Sequence, residues 1–303
     1  MTNTIACLIN YRLGAFGFYY NEDLNITGNY GYYDQKAALR WVRDNIEAFG
    51  GDPNNIIIGG ESAGAQSVTL LTVDPTNDGL YTAAIVESNP VAVPYRTPQS
   101  WHAIPTAFIA GSKCNIFNND HEKELQCLLS RDSKTLLEAQ DIAVADGAAY
   151  VNNSLHDVEP WPPTVGGIDG LFKDQPQFLY RDGKFNKDVP MIIGTNRDEF
   201  DLFLYAIWNK NTTLPAWELW GFMDGLIGDE NTDAAFEYYN ISIVANHSED
   251  MRHIGSQMLT DATFRCPSRY LQQMITKYSN EKGYFYHFNH PSSFNQYAYG
   301  SIP

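Results

Sequence analysis

Along the first ninety residues the spacing of apolar positions changes from one segment to the next. Residues 4–10 carry an apolar, β-branched bias that predicts a buried strand, with Cys7 as a buried thiol within it. Tyr11-Arg-Leu-Gly-Ala-Phe-Gly-Phe reads as a glycine-punctuated loop, and Gly28-Asn-Tyr-Gly as a turn. From Tyr33 to Phe49 the positions Ala37, Leu39, Trp41, Val42, Ile46 and Phe49 recur at helical spacing, and Gly50-Gly-Asp-Pro-Asn ends that helix. Asn55-Ile-Ile-Ile-Gly predicts a short, fully apolar strand at the centre of a parallel sheet. A helix follows from Ser62, and Ala83-Ala-Ile-Val-Glu-Ser reads as a further strand. Residues 91–160 and 201–280 look largely helical, with short strands at Met191-Ile-Ile-Gly-Thr-Asn and Tyr284-Phe-Tyr-His-Phe-Asn. Strands alternating with helices give an α/β architecture on a mostly parallel sheet with helices on both faces. With no internal repeat or linker, one domain over 1–303 is the simplest count.

Composition narrows the function classes. The chain has 303 residues, 44% of them apolar, with 19 Tyr and 16 Phe to fill a core. A net charge of −16 argues against nucleic acid and anionic membranes as partners. No apolar run reaches the roughly 18 residues of a membrane span. The N-terminus lacks the basic start of a signal peptide. A strand that opens almost at residue 1 gives the expectation that a segment precedes it. Cys114 and Cys127 flank a short polar loop, which suits a disulfide formed in an oxidising compartment. Asn-X-Ser/Thr acceptor sites stand at Asn25, Asn152, Asn211, Asn240 and Asn246, which also point to a secretory history.

The candidate chemistry lies at Gly60-Glu-Ser-Ala-Gly64. A serine between glycines, after an apolar strand and before a helix, fits the turn that lifts a nucleophile above a sheet edge. The glycines allow close approach of strand and helix, and the Ala63 N–H at the helix start is placed to donate to an oxyanion. The plainer reading makes Ser62 a helix cap. A serine nucleophile needs a histidine base, and the histidine needs a carboxylate. In this chain order the acid belongs after a later strand, where Asp198 and Glu199 stand side by side and pattern alone does not choose between them. No phosphate loop is present at Gly166-Gly-Ile-Asp-Gly, no His/Cys metal cluster is visible, and no cofactor is expected. Trp161 and the Trp208, Trp217, Trp220 group read as core residues or as the lining of a pocket.

Several segments together resemble the type B carboxylesterase and cholinesterase family of α/β-hydrolases. They are Asn10-Tyr-Arg-Leu-Gly-Ala-Phe-Gly-Phe, Gly28-Asn-Tyr-Gly-Tyr-Tyr-Asp-Gln, Ala38 through Asn54, Gly60-Glu-Ser-Ala-Gly, Gly194-Thr-Asn-Arg-Asp-Glu and Tyr286-His-Phe-Asn-His. The resemblance spans nearly the whole chain. It implies an α/β-hydrolase fold, a small-molecule ester as substrate, Ser62 as nucleophile, Glu199 rather than Asp198 as the acid, Ala63 as one oxyanion donor and Ser88 as a supporting residue near the triad. It also implies that Cys114 pairs with Cys127 and that Cys266 belongs to a second pairing. The family's Gly-rich oxyanion loop and its His-Gly segment have no counterpart in these 303 residues. The expectation is therefore a partial domain, incomplete at both ends, with weak or no activity. His247, His253, His287 and His290 are poor stand-ins for the base. The alternative is a non-catalytic, esterase-like interaction domain. Acyl and alcohol preference and oligomeric state are not legible.

Overall fold

The structure is a computed structural model that describes residues 3–101, 103–117, 120–148, 159–208, 212–243 and 250–290. It divides into two compact units: Met1–Ile57, Leu70–Ala83 and Val93–Asn186 form one, and Ile58–Thr69, Ala84–Ala92 and Lys187–Pro303 form the other.

In the first unit, a helical turn α1 (Gly14–Phe18) leads into a small antiparallel ribbon of β1 (Tyr20–Asn21) and β2 (Ile26–Thr27) and then helix α2 (Tyr30–Asn45). The helix ends through a 3-10 turn at Gly50, whose φ of 84° is left-handed and whose N–H returns to the carbonyls of Ile46 and Glu47. Of the apolar positions predicted, Leu39 and Ile46 are buried, and Ala37, Trp41 and Phe49 are not. Tyr32, Gln35, Lys36 and Leu39 are buried, while Trp41 and Phe49 face outward and touch each other at 6.0 Å. Lys36 is tolerated inside because its ammonium meets Asp74 at 2.7 Å, and the Tyr32 hydroxyl donates to the same carboxylate at 2.8 Å. Burial alone would push the Asp74 carboxyl up. Lys36, Thr76 and Tyr32 together hold it below the ordinary aspartate value. A second cluster packs Trp101, Ile104, Phe108, Ala139 and Ala143 around the disulfide Cys114–Cys127, whose Cα atoms lie 5.7 Å apart.

Two expectations for this unit fail. Residues 3–10 form no strand, and Cys7 is an exposed free thiol. Strand structure needs a neighbour's backbone to pair with, and no described residue supplies one here: Ile5, Leu8 and Ile9 are 44%, 98% and 42% exposed. Gly14–Phe18 is a helical turn where a loop was expected.

The second unit holds the sheet, in the order β3 (Ile57–Glu61), β4 (Ala83–Glu87), β5 (Met191–Asn196), β6 (Gly283–Phe288). β4–β5 and β5–β6 are parallel, with Glu87 opposite Gly194 and Gly194 opposite Tyr286. β3 therefore stands at one end of this order rather than at its centre, and its Ile57 is 57% exposed while Ile58 is buried. Helices Ala216–Ile227, Asp229–Tyr238 and Arg252–Thr260 pack a core of Leu204, Leu214, Leu219, Met223, Phe236 and Met258. No helix among the described residues is long and apolar enough to cross a membrane.

Candidate active site

The carboxyl ends of the strands step down like a stair. After β3 the Ser62 N–H donates to the Glu87 carbonyl at 3.0 Å. After β4 the Ser88 N–H donates to the Gly194 carbonyl at 2.8 Å. After β5 the Arg197 N–H donates to the Phe288 carbonyl at 2.9 Å. Each chain thus leaves the sheet pinned to its neighbour. In open α/β sheets this carboxyl edge is where ligands bind.

Two of these exits are strained. Ser62 has φ +56° and Ser88 φ +53°, a left-handed backbone that non-glycine residues adopt at a cost of about 1–2 kcal/mol. At Ser62 the turn is tight: helix α3 (Ala63–Val73) begins at the next residue, and Gln66 N–H already donates to the Ser62 carbonyl at 3.0 Å. A Cβ on Gly60 would lie 2.3 Å from the Gly64 carbonyl oxygen, so glycine at 60 is required. At Gly64 a Cβ would meet nothing within 4 Å, so the close approach depends on one glycine, not on both. Ser62 is half-buried. The Ala63 and Gly64 N–H groups precede the first intrahelical bond of α3, at the positive end of its dipole.

The two carboxylates left open by the sequence behave differently. Asp198 is paired with Arg197 at 2.6 Å. Glu199 is half-buried and accepts from the Asn196 N–H at 2.6 Å and from its side-chain Nδ2 at 3.2 Å. The same Nδ2 also donates to Ser88 Oγ at 3.2 Å. Asn196 thus ties Glu199 to Ser88, which is itself only 4% exposed. Sequence reasoning passed over Asn196. Its place as the last residue of β5, three before Glu199, is the signal that could have found it.

The surroundings are acidic. Burial, then the charges of Glu199 and Glu87, push the Glu61 carboxyl above the ordinary glutamate value. The Tyr286 phenol is pushed up by burial, then by Glu87 and Glu199. A site with three carboxylates disfavours an anion and suits a neutral or cationic substrate group.

Among the described histidines, His121 meets Glu124 at 3.2 Å in the first unit, while His253, His287 and His290 are exposed and none bonds Ser62. His247 lies outside the described residues. Of the acceptor sites, Asn25 and Asn240 are exposed on left-handed turns, with φ 53° and 55°, whereas Asn152, Asn211 and Asn246 lie outside the described residues. Trp208 and Trp220 are tied by their ring N–H groups to Glu218 and Asp233, both at 2.8 Å, and pack against the helical core. Cys266 is an exposed free thiol. No group of His, Cys, Asp and Glu fit for a metal is present among the described residues. The first unit contains a cavity of about 430 Å³ lined in part by Tyr20, Glu22, Asp23, Trp101, His121 and Glu124. No serine is among the residues that line it.

The carboxylesterase family pattern matches residues 1–303. The chain is 34% identical to the crystal protein of Dictyostelium discoideum over 269 residues, which cover 89% of this chain and 46% of that protein. It is 34% identical to the bile salt-activated lipase of Homo sapiens over 306 residues, covering 96% of this chain and 38% of that one. A crystal structure of a Geobacillus stearothermophilus carboxylesterase superposes with a TM-score of 0.72 at 30% identity, covering 94% of this chain and 55% of that chain. The chain spans about half the length of the curated relatives it matches.

Proposed function

The chain belongs to the carboxylesterase family of α/β-hydrolases, and from that premise we propose that its site is built for the hydrolysis of carboxylic esters, with Ser62 as nucleophile and Glu199 as the acid. In the proposed cycle Ser62 Oγ bonds to the acyl carbon while its proton passes to a histidine base that Glu199 orients. The alcohol departs with that proton, and water then releases the acid from the acyl-enzyme. The Ala63 N–H donates to the oxyanion. Ser88, through Asn196, holds the Glu199 carboxylate in place. The acidic lining directs preference toward uncharged or cationic esters. The cycle needs no metal or cofactor.

The observation that carries this reading is the left-handed Ser62 between β3 and α3. A residue that merely capped the helix would not need strained backbone, whereas a nucleophile raised above a sheet edge does. Since no described histidine bonds Ser62, we propose that the chain by itself acylates slowly. A fluorophosphonate probe followed by peptide mass spectrometry tests the assignment. The expected result is slow modification of Ser62, abolished in Ser62→Ala. A chain in which Ser62 stays unmodified over many hours is instead an esterase-like interaction domain.

A further inference from the structure

The loop that carries Glu199 is gripped from one place. The helix Arg252–Thr260 runs into the helix Cys266–Tyr278 through a single π-helical turn, Asp261–Arg265, closed by the Cys266 N–H on the Asp261 carbonyl. Such wide turns tend to occur where a helix must present side chains at a working site. This one meets the acid loop at both ends. The Phe200 N–H donates to Thr260 Oγ1 at 3.1 Å, and Arg265 Nη2 donates to the Arg197 carbonyl at 2.9 Å. The Phe200 ring also lies against that of Phe264, with centroids 6.2 Å apart. The guanidinium is fixed in turn: Arg265 Nη1 meets Asp261 Oδ1 at 2.6 Å, and the Tyr239 hydroxyl donates to Asp261 Oδ2 at 2.5 Å. On its other side the turn holds the segment after Ser88, where the Ala92 N–H donates to the Thr263 carbonyl at 3.4 Å. The Ser88–Asn196–Glu199 chain therefore sits between two segments that this one turn restrains.

We propose that Arg265 and Thr260 are positioning residues for Glu199, acting through the backbone of residues 197–200, and that Asp261 and Tyr239 set the orientation of Arg265. The proposal rests on the reading of Glu199 as the acid. Arginine suits the role because its planar fork reaches a carboxylate with one nitrogen and a carbonyl with another; lysine, a point charge, holds one such partner well but not both in fixed geometry.

The test uses the chain as it stands. Native-state hydrogen exchange is measured at the amides of Asn196, which donates to Glu199, and Phe200, which donates to Thr260. Probe modification of Ser62 is timed in parallel. Arg265→Lys is expected to keep the pairing with Asp261 and a melting temperature within about 2 °C of the parent. The Asn196 amide should nonetheless exchange about 10-fold faster. Thr260→Ser should retain protection at Phe200, and Thr260→Val should lose it. Unchanged exchange at Asn196 in both Arg265→Lys and Arg265→Gln overturns the proposal. So does protection lost evenly across the second unit, since that marks a merely structural role. Should the parent chain fail to react at Ser62 while these exchange changes occur, the ester-hydrolysis reading fails and the brace stands.

Discussion

The ring of Tyr286 fills the space that a side chain on Gly194 would need. A Cβ built at 194 would lie 1.9 Å from a ring carbon of Tyr286, its partner in register on β6. Glu87 faces Gly194 from the other side, on β4. The glycine therefore lets an aromatic side chain cross one strand and bring its phenol toward a carboxylate two strands away. Gly194→Ala should destabilise the chain by about 1–3 kcal/mol, as overpacking does, read as a shift in urea midpoint. Pairing it with Tyr286→Ala should recover much of that loss. Strictly additive losses would remove the crossing as the reason for the glycine.

Ser62 offers a second measurement. Its left-handed backbone strains any residue with a Cβ, and glycine relieves that strain at some cost in unfolded-chain entropy. Ser62→Gly should thus be as stable as the parent or up to about 1 kcal/mol more stable, while all probe modification disappears. A clear loss of stability in urea would mean the serine hydroxyl has a structural role.

The acidic edge predicts a pH dependence whose sign is fixed. Burial and the neighbouring Glu199 and Glu87 raise the Glu61 carboxyl in the folded state. A raised group contributes stability below its unfolded value and loses that contribution as pH climbs through the folded one. Glu61→Gln should therefore melt at a higher temperature than the parent near neutral pH, with the gain vanishing below about pH 4. Glu61 is exposed, so solvent screening keeps the effect under about 1 kcal/mol. A variant that melts lower at neutral pH contradicts the repulsion.

Cys114 and Cys127 close a loop with a sequence separation of 13, and Cys114 is wholly buried beside the Trp101 and Phe108 cluster. Replacing both by alanine should cost about 3 kcal/mol, from chain entropy and lost packing. Thermal melts with and without reductant check this in the parent. A melting temperature indifferent to reductant would count against it.

The sequence made the alternation of strands and helices legible because each of β3, β4, β5 and β6 is a short apolar run with polar flanks. Ser62 stood out because a nucleophile turn requires glycine at a fixed offset. Other features left no one-dimensional trace. Nothing in the spacing marks Lys36 as buried, since its partner Asp74 lies far along the chain. Trp41 and Phe49 looked like core by spacing, yet α2 presents the opposite face inward. Residues 4–10 carry a strand's pattern, but a pattern does not specify a partner. That Asp198 pairs with Arg197 while Glu199 accepts from Asn196 is a matter of side-chain geometry that composition does not encode. Asn196 and the π turn belong to the same class, since both act by holding other residues rather than by chemistry of their own.

The backbone at position 62 also limits which descendants this chain can have. Threonine, the other common hydroxyl, is β-branched and poorly suited to a left-handed turn, so the hydroxyl at this position does not pass readily to its nearest chemical cousin. Glycine, asparagine and aspartate, which tolerate that conformation, would settle there with ease. Folding by itself gives such a lineage every reason to discard the serine and none to keep it.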